Sequence, residues 1–328
     1  YKPTYASAGN FNSEIGLPLS VFGLRDEHLF AVFELASNRK GEIGLLAEIL
    51  RPNIALVTNV GSAHIGMFGS REAIADEKGD IFSCFDSSSR GFIWENDAFR
   101  NRLKQGKRGT FCFFGSSSTP GVEGFESEGL EGGVLLYRGR RIHCALPGEH
   151  NLVNVCAAVS VARICGATEE AIVAGVESVR PSFGRSEFVP GEISVYQDCY
   201  NANLESFRAG LDVVRGVSWN GRRIGVLGAM KELGRESDNL HRRAGRLCAE
   251  SGFDAWFFLG MEAAVSCEVY TELCASPGFR AEGFAALESA LAGFVRPGDL
   301  VYLKGSRSMG LERLTGLLTG PEGREKAC

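Results

Sequence analysis

Thr58 to Asp80 reads TNVGSAHIGMFGSREAIADEKGD, and it follows the apolar run IALV that begins at Ile54. A short apolar strand, a Gly-rich turn and then a helix pattern make up half of a parallel-sheet α/β unit. The spacing predicts a helix over 71–85 with Ile74, Ile81, Phe82 and Phe85 on one face, and Lys78 in the middle of that stripe. A lysine there is poorly solvated. Desolvation favours the neutral amine, which can take up carbon dioxide as a carbamate and so become a carboxylate-like metal ligand. The plainer reading is a lysine that snorkels out of the stripe, since lysine is rarely buried unpaired.

Length and composition narrow the possibilities around this unit. The 328 residues suggest about two domains. At 44% hydrophobic and 23% charged, the chain is an ordinary globular protein with material for a core in each half. A net charge of -5 argues against a nucleic-acid partner held by bulk electrostatics. The 10 cysteines are scattered without a C-x-x-C and read as reduced core residues of a cytoplasmic protein. No run reaches the length of a membrane span. The chain opens on Tyr1 without a signal peptide, and is expected to begin inside a longer gene product.

Upstream, SAGNFNSEIGLP at Ser7 to Pro18 is a polar loop whose amides suit an anionic or sugar-like ligand, or equally a surface turn. LFAVFEL at Leu29 to Leu35 reads as a strand that places Glu34 at a carboxyl end, where α/β proteins hold ligands; a solvated strand end explains it equally. Glu34, His64 and a carbamylated Lys78 would together suit a hard cation, Mg2+ or Mn2+, beside a phosphate. From Gly91 to Pro147 the sequence shows a strand at GFIWEND, a short helix at FCFF, a Gly- and Glu-rich segment and a hairpin around Arg138-Gly139-Arg140, with no chemistry assigned. His150 and Asn151 open a helix closed by Gly166, where free N–H groups can grip a nucleotide or asparagine can simply cap.

A Pro- and Gly-rich joint follows at Pro181 to Pro190, PSFGRSEFVP. Beyond it ISVYQD, RRIGVLG, DAWFFLG and LVYLKG are buried-strand runs, each followed by a helical segment, which reads as a separate doubly wound domain. The expected division is 1–186 and 187–328. Neither G-x-G-x-x-G nor H-E-x-x-H occurs, so a nicotinamide enzyme is unsupported.

In this second half DCYNAN at Asp198 to Asn203, VLGAMKELG at Val226 to Gly234 with His241 beyond, and LKGSRSM at Leu303 to Met309 resemble the carboxy-terminal domain of the Mur ligase family. SAGNFNSEIGLP, FELASNRKGEI, TNVGSAHIGMFGS, ADEKGDIF, GEHNLVNVCAA and FGRSE resemble that family's central domain in the same order. Each motif is weak and their register is strong. The fold the resemblance implies is α/β: a central ATPase domain with a mostly parallel sheet, lacking its start, then a Rossmann-like carboxy-terminal domain. The activity implied is an ATP-dependent amide ligase of peptidoglycan precursor synthesis, a cytoplasmic monomer serving cell-wall biogenesis, cell shape and division. Its partners would be UDP-N-acetylmuramoyl-tripeptide and D-alanyl-D-alanine, joined through an acyl phosphate. A folylpolyglutamate synthase-like ligase and a non-catalytic fragment that keeps the fold are the alternatives.

Carried over by position, Glu34, His64 and carbamylated Lys78 would hold Mg2+ and act in catalysis. His150, Asn151, Arg185, Asp198, Tyr200, Asn201 and Asn203 would face ATP. Asn10 and Asn12 would face the UDP-sugar peptide, while Lys304, Ser306 and Arg307 would meet the dipeptide and acyl phosphate; the plain reading of those three is a basic strand end exposed to water. Three departures stand out. Leu204 replaces a usual proline, Ala229 replaces a usual acidic residue, and the phosphate loop G-x-x-G-K-[ST] is absent, so these 328 residues alone are expected to be inactive. The third residue of the accepted peptide, lysine, ornithine or diaminopimelate, is left open.

Overall fold

The computed structural model describes residues 2–320. These divide into two compact units, one made of residues 2–124, 137–139 and 153–175, the other of 125–136, 140–152 and 176–320.

The first unit is built on three parallel strands, Ile54–Val57, Arg90–Trp94 and Thr110–Phe114, in that order. The core beside them holds Val57, Ile74, Phe82, Phe85, Ile93 and Leu103. FCFF is therefore strand and not helix. A four-residue apolar run carries too little periodicity to separate the two, and aromatic side chains favour the pleated surface beside Arg90–Trp94. The helix expected over 71–85 is Arg71–Gly79 followed by a 3-10 turn at Asp80–Phe82. Its amino end is capped by Ser70, whose hydroxyl accepts from the Ala73 amide at 3.1 Å. At the other end a Cβ on Gly79 would lie 2.9 Å from the Leu103 carbonyl, so the chain runs there against a neighbouring segment. The strand expected at 29–35 shortens to Phe30–Val32, paired in parallel with Thr4–Ala6, and Glu34 lies just past its end.

The second unit holds a six-stranded sheet in the order Gly278–Ala281, Ala255–Leu259, Arg223–Gly228, Leu300–Lys304, Ser194–Asp198, Glu187–Val189. All neighbours are parallel except the last pair. The central strands are buried on both faces, which is why their sequences read as continuous apolar runs. Leu300–Lys304, fifth of the parallel strands in the chain, inserts between Ser194–Asp198 and Arg223–Gly228. The sheet thus reverses its winding there, where ligands of open α/β sheets bind at the carboxyl ends. A further sheet, Val122–Ser127, Gly133–Tyr137 and Arg140–Cys144, turns at Arg138 and Gly139 with φ of 50° and 72°, a tight two-residue hairpin.

Candidate active site

In the first unit the Lys78 ammonium donates to the Asn59 carbonyl at 2.7 Å, at the end of the central apolar run. Burial pushes its pKa below the ordinary lysine range, and the Asp97 carboxylate opposes that shift. Asp97 is itself buried and accepts the amides of Val60 and Phe99, each at 2.7 Å. Sequence reading passed over it; an Asp directly beyond a buried strand run was the available signal. Its neighbourly counterpart is Glu77, 2% exposed, whose carboxylate accepts the amides of Gly41 at 2.6 Å and Ile43 at 2.9 Å. Those amides open the helix Glu42–Leu50, so a negative charge sits at a helix amino terminus.

Glu34 is exposed and accepts from the Asn12 amide at 3.1 Å, which brings two of the expected site residues together. Asn10, two residues earlier, lies exposed in the same loop. His64 is half-buried, takes a left-handed φ of 59° and precedes the short helix Ile65–Phe68. Among the described residues, no three His, Cys, Asp or Glu side chains form a metal-holding group. The depressed amine of Lys78 fits the chemistry of carbamate formation.

In the second unit Asp198 and Lys304 end adjacent strands in matched register and pair at 2.7 Å. Lys304 is 1% exposed, so it is not the solvated strand end of the plain reading. Burial lowers the His150 pKa, the Asp198 charge raising it and Lys304 lowering it further, so all three lie in one electrostatic neighbourhood. The turn before His150 needs glycine: Gly148 has φ of 94°, and a Cβ there would lie 2.7 Å from the imidazole. The Asn151 side chain donates to the Pro147 carbonyl at 2.7 Å. Arg185 stacks over Tyr200 at 4.2 Å, and Arg307 lies 5.2 Å from the Phe183 ring centre and 5.9 Å from that of Tyr200. Asn201 is exposed, whereas Asn203 caps the helix Leu204–Gly216 in a reciprocal box with Ser206. Ser306 is buried; its hydroxyl accepts the Lys231 amide at 2.9 Å, and Lys231 pairs with Glu262 at 2.6 Å.

Residues 2–162 match the Mur ligase middle domain, and residues 184–307 match the Mur ligase glutamate ligase domain. A UDP-N-acetylmuramoyl-tripeptide–D-alanyl-D-alanine ligase of Treponema pallidum is 40% identical over 317 residues, 95% of this chain and 68% of that protein. The chain belongs to the Mur ligase family. The ligase of the same name from Escherichia coli is 32% identical over 79% of this chain and 59% of its own length. MurF of Acinetobacter baumannii superposes with a TM-score of 0.88 at 29% identity, covering 97% of this chain and 71% of that one. The chain thus spans about two thirds of the length of the relatives it matches.

Within this Mur ligase chain, both internal departures from the family pattern have a local account. Leu204 is the first residue of its helix, where proline gives up no intrahelical hydrogen bond, and leucine fills the place with a buried side chain. Ala229 is wholly buried; its amide donates to the Leu259 carbonyl at 3.0 Å and its carbonyl accepts from Ser306 at 3.3 Å. Its backbone ties together the ends of three strands, a role the side chain does not enter. Glu262 remains the carboxylate of this neighbourhood, held by Lys231 below the ordinary range against the cost of burial.

Proposed function

We propose that the chain serves ATP-dependent formation of an amide bond between UDP-N-acetylmuramoyl-tripeptide and D-alanyl-D-alanine in the cytoplasm. The observation that carries this reading is Lys78, a lysine with depressed pKa fixed on the Asn59 carbonyl in the central α/β unit. Glu34, His64 and carbamylated Lys78 would hold Mg2+ or Mn2+, which supplies charge neutralisation at the transferring phosphoryl group. The tripeptide's terminal carboxylate attacks the γ-phosphorus, ADP leaves, and an acyl phosphate forms. The dipeptide amine then adds to the acyl carbon, the tetrahedral intermediate expels phosphate, and the amine proton is lost to solvent or a base. The protein's own share is positioning and charge. Asn10 and Asn12 would orient the UDP-sugar peptide; His150, Asn151, Arg185, Asp198 and the 200–203 turn would orient ATP. Lys304, Ser306 and Arg307 would steady the acyl phosphate and the incoming dipeptide.

Phosphate release from ATP by the full-length gene product tests this. Release that requires both UDP-tripeptide and D-alanyl-D-alanine supports the reading. Release that requires glutamate and a folate instead favours the folylpolyglutamate-type alternative and overturns it.

A further inference from the structure

A concavity of about 460 Å³ in the first unit is lined by Asn12, Ile15, Met67, Glu14, Arg39 and Glu42 among others. Its walls differ in kind. Ile15 and Met67, 72% and 59% exposed, give it an aliphatic side, while Glu14, Arg39 and Glu42 form a charged cluster. Arg39 is bound on both flanks, to Glu14 at 2.8 Å and to Glu42 at 2.8 Å, so its guanidinium is spent on two carboxylates. The cluster carries one cation against two anions. Burial works against the Glu42 charge, but the amides of Asn38 and Arg39 and the Arg39 guanidinium outweigh it and hold the carboxyl below its usual range. The loop bearing these groups is itself fixed by Glu77 through Gly41 and Ile43.

Asn12 joins this concavity to the candidate chemistry. It lines the concavity and donates to Glu34 at 3.1 Å. On the function proposed above, on which this inference rests, the reacting carboxylate belongs to the third residue of the peptide and lies near Glu34. The side chain of that same residue then falls within reach of the concavity.

We infer that this concavity reads the third residue of the peptide and selects a diamino acid with an aliphatic stem and a single terminal ammonium, of the lysine or ornithine type. Methylenes lie against Ile15 and Met67, and the ammonium meets the surplus negative charge of Glu14 and Glu42. A diaminopimelate side chain brings an additional carboxylate. It would meet those two anions with Arg39 already engaged, and like charges disfavour it.

Calorimetric binding of UDP-N-acetylmuramoyl-tripeptides ending in L-lysine or in meso-diaminopimelate to the full-length protein provides the test, with turnover measured in parallel. The lysine peptide is expected to bind about fivefold more tightly, the value of about one partly exposed charge contact. Glu14→Gln, at an exposed position that no helix end depends on, should shrink that ratio to about twofold or less. Equal affinity, tighter binding of the diaminopimelate peptide, or a ratio that Glu14→Gln leaves intact would each overturn the inference. A lysine preference in binding with no ligation of either peptide would overturn the function proposed above and uphold the concavity's role. Ligation of both peptides with equal kcat/KM would do the reverse.

Discussion

Asp198 and Lys304 terminate neighbouring parallel strands in the same register and close an ion pair of 2.7 Å with the lysine wholly inside the protein. Removing one partner of a buried pair leaves an uncompensated charge, so Asp198→Asn should destabilise the second unit by about 3–5 kcal/mol. Asp198→Leu with Lys304→Met should cost much less, because no charge is stranded. Urea unfolding followed by Trp219 and Trp256 fluorescence measures both; a single variant no worse than the double would contradict the account.

Stability should fall on mild acidification before any carboxylate titrates. Burial holds His150 and His241 below the ordinary histidine pKa. His241 is neutral, its Nδ1 donating to the Ser237 carbonyl at 2.8 Å and its Nε2 accepting the Met230 amide at 3.1 Å. The unfolded chain takes up these protons near pH 6.5 and the folded one only lower, so folding releases protons across that window. Stability is thus full above about pH 6.5, is lost as pH falls from there toward the folded values, and levels off below them. Thermal melts between about pH 7 and 5 should show a slope that His241→Gln reduces. A pH-independent melting temperature over that range would refute it.

Lys78→Ala in the full-length protein should lose most activity and regain part of it with short carboxylic acids, which replace the carbamate oxygens. The amine itself can be followed without turnover, by a carbon-13 carbamate resonance under labelled bicarbonate. Asp97→Asn removes the one charge that raises the Lys78 pKa. It should extend that resonance to lower pH. Full activity of the alanine variant together with no carbamate signal would end the proposal.

The first unit presents apolar side chains to solvent over a short span of chain. Ile15, Phe22, Leu29 and Val32 are between 60% and 80% exposed within eighteen residues of chain. The 328-residue chain should therefore self-associate at micromolar concentration. Light scattering during size exclusion would show it, and Ile15→Ser with Phe22→Ser should shift the population toward monomer. A chain that elutes as monomer at every concentration would rule this out.

Much of this was legible in the sequence where burial is two-sided. ISVYQD, RRIGVLG, DAWFFLG and LVYLKG are rich in apolar residues because their strands are buried on both faces, and all four are strands. The short edge strand Gly278–Ala281 escaped because it is only partly buried and carries Arg280. FCFF was misread for want of length, and the helix through Lys78 was drawn too long because Ile81, Phe82 and Phe85 continue its apolar spacing into a turn of different pitch. Sequence named Lys78 and Glu34 from their places at a helix stripe and a strand end. The role of Glu77 was not legible, since it depends on backbone amides brought from over thirty residues away, which no local pattern records; Asp97 stands just past a buried strand run, a signal that was passed over.

Glu77 grips the loop that precedes Glu42 from the residue next to Lys78. One turn of helix is thereby tethered on one side to the wall of a concavity and on the other to an amine at a strand end. Lengthening the Asn38–Gly41 turn will pull on that tether. Tolerance for such insertions is set by how far Gly41 can move before the carboxylate loses its amide, and a graft of this loop from a relative carries over only with a glutamate at the matching place on the opposite helix.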